Sequence, residues 1–400
     1  MECIYLYGAK LVEKIQKIYL PSEVFLVASH LSAPPAVNLL AFPLAFFLHP
    51  ILGSATLLSI NFSEWLNCAL KWVICGERPF WWVKTHKTAN VILKQFNITC
   101  ETGPGSPSGH CMVFVAGWLP LILYIKHRRK KLGTLLHSLL IVCTVTVGLS
   151  RLYIATHFPH QVVEGSVAGG LIGRAFYHWV MRYTLECTST PATAIDLRPS
   201  ALTSPQRLTI IGTLSFVLGE AIGATLNFLG VDVDRSFRMA RMYCDRREWV
   251  HPSTSVEASY ARVTGALLGL AGALIFRPLT IRNLKPPPVT VRRVIFPCIM
   301  CIIACYYCQK GITFMAPFFK CLLGYIPLGL EASFLFYMGV IGATCPLVVA
   351  LAFSSLLDQL AYCKAWQCTT SKYTTSTIPS HAHGSEASAR SGRSRSRSRR

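Results

Sequence analysis

Charge is scarce in this sequence. Only 14% of its residues are Asp, Glu, Lys or Arg, where a soluble chain needs about 25% to cover its surface. Acid is the scarcer sign, with 18 Asp and Glu against 39 Lys and Arg. Hydrophobic residues fill 52% of the chain and mean hydropathy is +0.43. Two or three soluble domains are therefore excluded, and one lipid-embedded domain is the economical reading. An aromatic-interleaved basic groove is also missing. The net charge of +21 sits in short runs between apolar segments and at the C-terminal end, which is juxtamembrane charge and not a nucleic-acid face.

Two further absences narrow the field. The first residues, MECIYLYGAKLVEKIQKIYLPSEVFLV, hold no short apolar core followed by a small-residue cleavage site. No removable leader is expected, and the first span should serve as the insertion signal. The 16 cysteines are scattered through a long chain, unlike a disulfide scaffold. Cys298, Cys301, Cys305 and Cys308 have metal-like spacing. One helix face cannot wrap a tetrahedral ion, so they read as packing residues and no metal is expected.

What is present is a series of apolar runs. Nine candidate spans lie at 24–48, 51–73, 111–126, 132–153, 160–180, 208–229, 257–276, 294–309 and 335–358; a membrane helix needs about 20 residues, and two of these, 111–126 and 294–309, are short. The fold class expected is all-α, a multi-spanning membrane helical bundle over 1–365, with a disordered basic Ser/Arg-rich tail over 366–400. Gly165, Gly169 and Gly173 recur every four residues, either a stripe for close helix approach or ordinary glycine enrichment. Glu64, Glu164 and Arg174 lie inside spans and should face the bundle interior or an ion pair. Basic runs after the third span, between the seventh and eighth, and in the tail mark one cytosolic side. Loops 74–110, 154–159 and 230–256 then share the lumenal side. Asn97-Ile98-Thr99 in the first of these is a glycosylation sequon. Asn61-Phe62-Ser63 falls within a span and reads as a chance match.

Three polar stretches fall at lumenal helix ends: KWVICGERP, PGSPSGH and SRLYIATHFPHQ. Lys71 and Arg78 are two helical turns apart and share a face until Pro79 interrupts the helix. Arg151 adds a second guanidinium, and such forks match phosphate oxygens. Gly109 allows backbone N–H groups close to an anion, and His110 opens a helix at the positive end of its dipole. His157 precedes Phe158-Pro159 and is expected just outside the fifth span, fixed but exposed. Taken singly, each has a plainer reading. Lys71 and Arg78 would be interfacial charges, Ser108 a helix cap, His110 and His157 interfacial histidines. His160 reads as a helix-start residue. The sequence offers no Asp or Glu base beside Ser108 and His110.

K-x6-RP, PSGH and SR-x5-H together resemble the signature of the type 2 phosphatidic-acid-phosphatase superfamily. ERPFWWV, CETGPGSPSGHCM, LSRLYIATHFPHQVVEG and REWVH are similar to one branch, the glucose-6-phosphatase catalytic subunits, and SEWLN and SGHCM to its beta branch. The resemblance covers about residues 20–360 and implies an endoplasmic-reticulum phosphatase of glucose metabolism and gluconeogenesis. It implies His157 as the nucleophile, His110 as general acid and then base, and Lys71, Arg78, Ser108, Gly109 and Arg151 as phosphate ligands. It implies Gln161 as support for the nucleophile, no cofactor, glucose 6-phosphate as substrate, membrane lipid as surroundings and a glucose-6-phosphate transporter as supplier. Gln161 stands where the wider superfamily carries Asp, and Ala33 where the nearest branch carries Asp. Two alternatives remain: a lipid phosphate phosphatase using the same histidines, and a weakly active member retained as a membrane scaffold.

Overall fold

The structure, a computed structural model, describes residues 2–18, 21–86, 90–189 and 204–276, with isolated positions between 295 and 307. Span 294–309 falls almost wholly outside the described residues. So do span 335–358, the tail from 366 and most of the Cys298–Cys308 quartet. Everything described lies within the unit Met1–Ser354.

The described residues form eleven α-helices: α1 Glu2–Gln16, α2 Ser22–Ser32, α3 Pro34–Leu48, α4 Pro50–Ile74, α5 Pro79–Thr85, α6 Gly109–Arg128, α7 Lys130–Tyr153, α8 Pro159–Ser189, α9 Pro205–Phe228, α10 Arg235–Tyr243 and α11 Val256–Phe276. Five of them open on proline. Its missing N–H costs nothing in a first turn and its φ is already helical. The described part of the expected all-α class is therefore present. Among the described residues, three single helices, α6, α7 and α9, are long and apolar enough to cross a membrane, or four crossings if α2 and α3 act together. The exposed Leu135, Leu139, Val142 and Val145 on α7, and Leu214, Val217 and Leu218 on α9, form lipid-compatible faces.

The first expected span, 24–48, is not continuous. It breaks at Ala33, where α2 and α3 meet at 63°. Pro34 and Pro35 follow, and the residue before a proline is driven out of the helical region; Ala33 sits at φ −60°, ψ 140°.

Helix α6 is central and packs against α3, α4, α7 and α8. The glycine stripe of α8 makes its closest approach possible. A Cβ at Gly165 would lie 2.4 Å from the Ser108 carbonyl oxygen, and one at Gly169 would lie 2.2 Å from that of Met112. Inside α6, Pro120 cannot donate to the Ala116 carbonyl. Ser59 of α4 donates to that oxygen instead at 2.7 Å. The span acids find partners: Arg262 of α11 bonds Glu64 at 2.8 Å, and Ser106 donates to Glu164. Glu164 and Arg174, expected to face the interior or an ion pair, are both exposed on α8. Asn61 is buried and bonds Leu57 O, as a chance sequon would.

Two features at the site end were not foreseen. α1 lies against α5 and α7, with Tyr5 meeting the rings of Trp82, Phe158 and His160. A disulfide joins Cys100 to Cys244 and fastens the 97–108 loop to the end of α10.

Candidate functional site

The site forms where the ends of α4, α6 and α7 meet the loops before α6 and α8. Arg78, at the start of α5, is fully buried. Its Nε donates to Gly103 O at 2.7 Å, Nη2 to Pro104 O at 3.0 Å and Nη1 to Thr156 O at 3.2 Å. Three carbonyls therefore fix the plane of the guanidinium, and burial lowers its pKa from the usual value. Arg151, in the last turn of α7, is also buried. Its Nη1 reaches the Ser29 hydroxyl and its Nη2 the Glu101 carboxylate. Its Nε has no partner among the described residues.

His157 is buried, not exposed as expected, because the loop before α6 brings Gly105 and Glu101 against its ring and Gln161 closes on it from α8; Phe158 beside it is covered by α1, where a Cβ at Gly8 would be 2.8 Å from the ring. Its Nδ1 faces Gly105 O at 2.7 Å and Gln161 Oε1 at 3.2 Å. Both are acceptors, so Nδ1 carries the hydrogen and Nε2 keeps its lone pair. That Nε2 has no partner among the described residues. Burial first, then Arg78 and Arg151, holds the imidazole well below the ordinary histidine range. Gln161 ties the cluster together. Its Oε1 accepts from Phe158 N at 3.1 Å, its Nε2 donates to Glu77 O at 2.7 Å, and its carbonyl accepts from Ser108 N at 3.0 Å.

Ser108 occupies the N-cap position of α6, yet its side chain makes no cap bond. The buried Oγ has no partner among the described residues. Gly109 follows because a Cβ there would stand 2.9 Å from Asn67 Oδ1. The first N–H groups of α6 have no carbonyl four residues back and make an anion-binding helix start. Lys71 is buried beside Gly103, with its Nζ 3.7 Å from where a Cβ would stand. His160 is half-buried against Phe158, outside the cluster. Asn97 is exposed on the neighbouring loop.

The residue missed by spacing is Glu101. Its carboxylate bonds Arg78 Nη1 at 2.9 Å and pairs with Arg151 Nη2. It lies 3.8 Å from His110 Nδ1 and 4.0 Å from His157 Nε2. An acid therefore does stand beside both histidines. Burial on its own would raise this carboxyl, but Arg151 and Arg78 outweigh it and hold it well below the usual range. The signal available was one acid in the glycine-rich stretch between the first two motifs. The REWVH segment seats the same loop: His251 N donates to Cys100 O at 3.2 Å, and Thr102 Oγ1 donates to His251 O at 3.1 Å.

Two guanidiniums, an ammonium, a helix start, a free hydroxyl and an imidazole lone pair thus converge on one buried point. This constellation suits a phosphoryl group bound for attack by nitrogen. Residues 52–185 match the PAP2 superfamily. Glucose-6-phosphatase 3 of Bos taurus is 36% identical over 284 residues, covering 67% of this chain and 75% of that protein. Glucose-6-phosphatase catalytic subunit 1 of Canis lupus familiaris is 32% identical over 289 residues, covering 68% and 76%. Glucose-6-phosphatase 2 of Homo sapiens is 30% identical over 293 residues, covering 68% and 77%. No solved structure gives a significant match. The PAP2 core and the shared identity, on top of this site, establish that the chain belongs to the glucose-6-phosphatase family of phosphoric monoester hydrolases.

Proposed function

We propose that this chain hydrolyses glucose 6-phosphate to glucose and phosphate through a phosphohistidine on His157. The observation that carries this reading is the His157 imidazole, held by Nδ1 and free at Nε2 beside Arg78 and Arg151. Nε2 attacks phosphorus as the bond to the sugar oxygen breaks, and the bonding pair leaves with that oxygen. His110 gives it a proton. Water then attacks phosphorus, His110 takes the water proton, and the N–P bond breaks to restore the imidazole. Lys71, Arg78, Arg151, the Ser108 hydroxyl and the N–H groups from Gly109 onward balance charge on the equatorial oxygens. Gln161 and Gly105 keep the imidazole in the attacking tautomer.

The site end of the bundle faces the lumen of the endoplasmic reticulum in this reading, and the basic tail from 366 lies in the cytosol. A glucose-6-phosphate transporter supplies substrate to that side. Microsomes carrying the chain, assayed with glucose 6-phosphate and phosphatidic acid side by side, test the assignment. Hydrolysis of the sugar phosphate with quenchable phosphate on His157 is expected. Hydrolysis of phosphatidic acid alone makes the chain a lipid phosphatase, and no turnover of either makes it a scaffold.

A further inference from the structure

We infer that Glu101 is an internal competitor for the phosphoryl cradle: its carboxylate holds the inward N–H groups of Arg78 and Arg151, and a bound phosphate must displace it from them. This rests on the proposed phosphatase reading and adds an exchange step to it.

The geometry is that of a two-oxygen anion lodged among the phosphate ligands. One oxygen takes Arg78 Nη1 at 2.9 Å and the other takes Arg151 Nη2. The first lies 4.0 Å from His157 Nε2 and the second 3.8 Å from His110 Nδ1. A phosphoryl group positioned for attack by Nε2 needs this same space between the histidines. Arg78 has little to offer elsewhere, since its remaining donors are largely taken by Gly103, Pro104 and Thr156. Two anions cannot share the same donors, so the cradle exchanges one for the other.

The backbone leaves a side-chain swing as the route. Cys100 is bonded to Cys244, His251 N donates to Cys100 O, and Thr102 N donates to Thr254 Oγ1 at 2.9 Å. The residues on either side of Glu101 are therefore fastened, which leaves rotation about its own three side-chain torsions as the way for its carboxylate to leave the arginines. In the resting site the carboxylate keeps two buried guanidiniums aligned and offsets part of their charge. Its cost is a lower apparent affinity for every oxyanion, since only the displaced fraction of the protein binds.

Binding of inorganic phosphate and of orthovanadate to the purified full chain tests this without relying on sugar turnover. Glu101→Gln removes the charge, and Glu101→Asp keeps the charge but shortens its reach. Both variants are expected to bind both anions more tightly than wild type, Glu101→Gln by roughly tenfold or more. Looser or unchanged binding in Glu101→Gln overturns the inference, because Glu101 is then only a brace for the arginines. Tighter binding in Glu101→Gln with wild-type binding in Glu101→Asp also overturns it, since charge alone explains the gain. If Glu101→Gln does not fold, Glu101→Asp decides by the same criterion. Wild type binding neither anion would remove the phosphatase reading and this inference together. Oxyanion binding without glucose 6-phosphate turnover would sink that reading alone.

Discussion

The Nδ1 hydrogen of His157 points at the carbonyl oxygen of Gly105, 2.7 Å away. A carbonyl can only accept, so this one contact fixes the tautomer and leaves the lone pair on Nε2. Gln161 supports the same nitrogen from 3.2 Å and fastens the Phe158 and Ser108 amides around it.

Gln161→Leu keeps volume and the backbone bond from Ser108 N but removes the side-chain bonds to His157, Phe158 N and Glu77 O. Turnover of glucose 6-phosphate is expected to fall roughly 10- to 100-fold, the scale typical when a group that orients a functional histidine is lost. The Michaelis constant should change far less, because the phosphate ligands are untouched. Steady-state kinetics on matched expression levels check this; unchanged turnover would mean that Gly105 alone suffices.

Arg78→Lys keeps one charge but cannot bond Gly103, Pro104 and Thr156 together while also facing the cradle. A loss of about 100-fold or more in turnover is expected, the size of one lost electrostatic donor. Near-wild-type turnover would reduce Arg78 to an interfacial anchor.

The two histidines are separable by leaving group. His157→Ala should abolish phosphoenzyme and turnover on any substrate. His110→Ala should lose roughly 100- to 10,000-fold in phosphorylation by glucose 6-phosphate, whose alkoxide needs a proton, and far less with p-nitrophenyl phosphate. With the activated substrate this variant should accumulate phosphate on His157, visible by rapid quench. Trapping in His157→Ala but not in His110→Ala would reverse the roles.

Acid should destabilise the fold through two groups with one sign. His157 is held well below its ordinary value, so as pH falls below about 6.5 the unfolded chain takes up a proton that the folded chain refuses. Glu101 is also held low. Its stabilisation is complete above the unfolded carboxyl value and is lost as pH falls through the folded one. The thermal midpoint in detergent should drop from pH 7 to pH 5, and His157→Asn should flatten that drop. A midpoint that rises toward pH 5 contradicts the sign.

Orientation is testable on a single loop. Asn97 is exposed three residues before the disulfide-bonded Cys100. Endoglycosidase should shift the mass of wild type but not of Asn97→Gln, and the tail should be cut by protease outside sealed microsomes. Replacing Cys100 and Cys244 together by Ser should cost about 2–4 kcal/mol of stability, typical for a lost cross-link. A protected tail with an unmodified Asn97 would invert the topology.

The sequence alone determined the lipid-embedded helical class, because scarce charge and long apolar runs leave few other ways to bury backbone. It located the start of α8 through Pro159, since proline acts on its own backbone, but it ran the first span straight through Pro34, where the helix breaks. It also singled out Lys71, Arg78, Ser108, Gly109, Arg151 and His157 from three short motifs, whose spacing sets helix phase locally. Tertiary structure decided what depends on distant partners. Glu101 becomes an arginine-bound acid only because Arg151, 50 residues away, folds onto it. Glu64 is neutralised by Arg262 across 198 residues. His157 is buried because Gly105, 52 residues earlier, and Glu101 fold against its ring. Spacing carries phase within one element but says nothing of which face another element will bring to it.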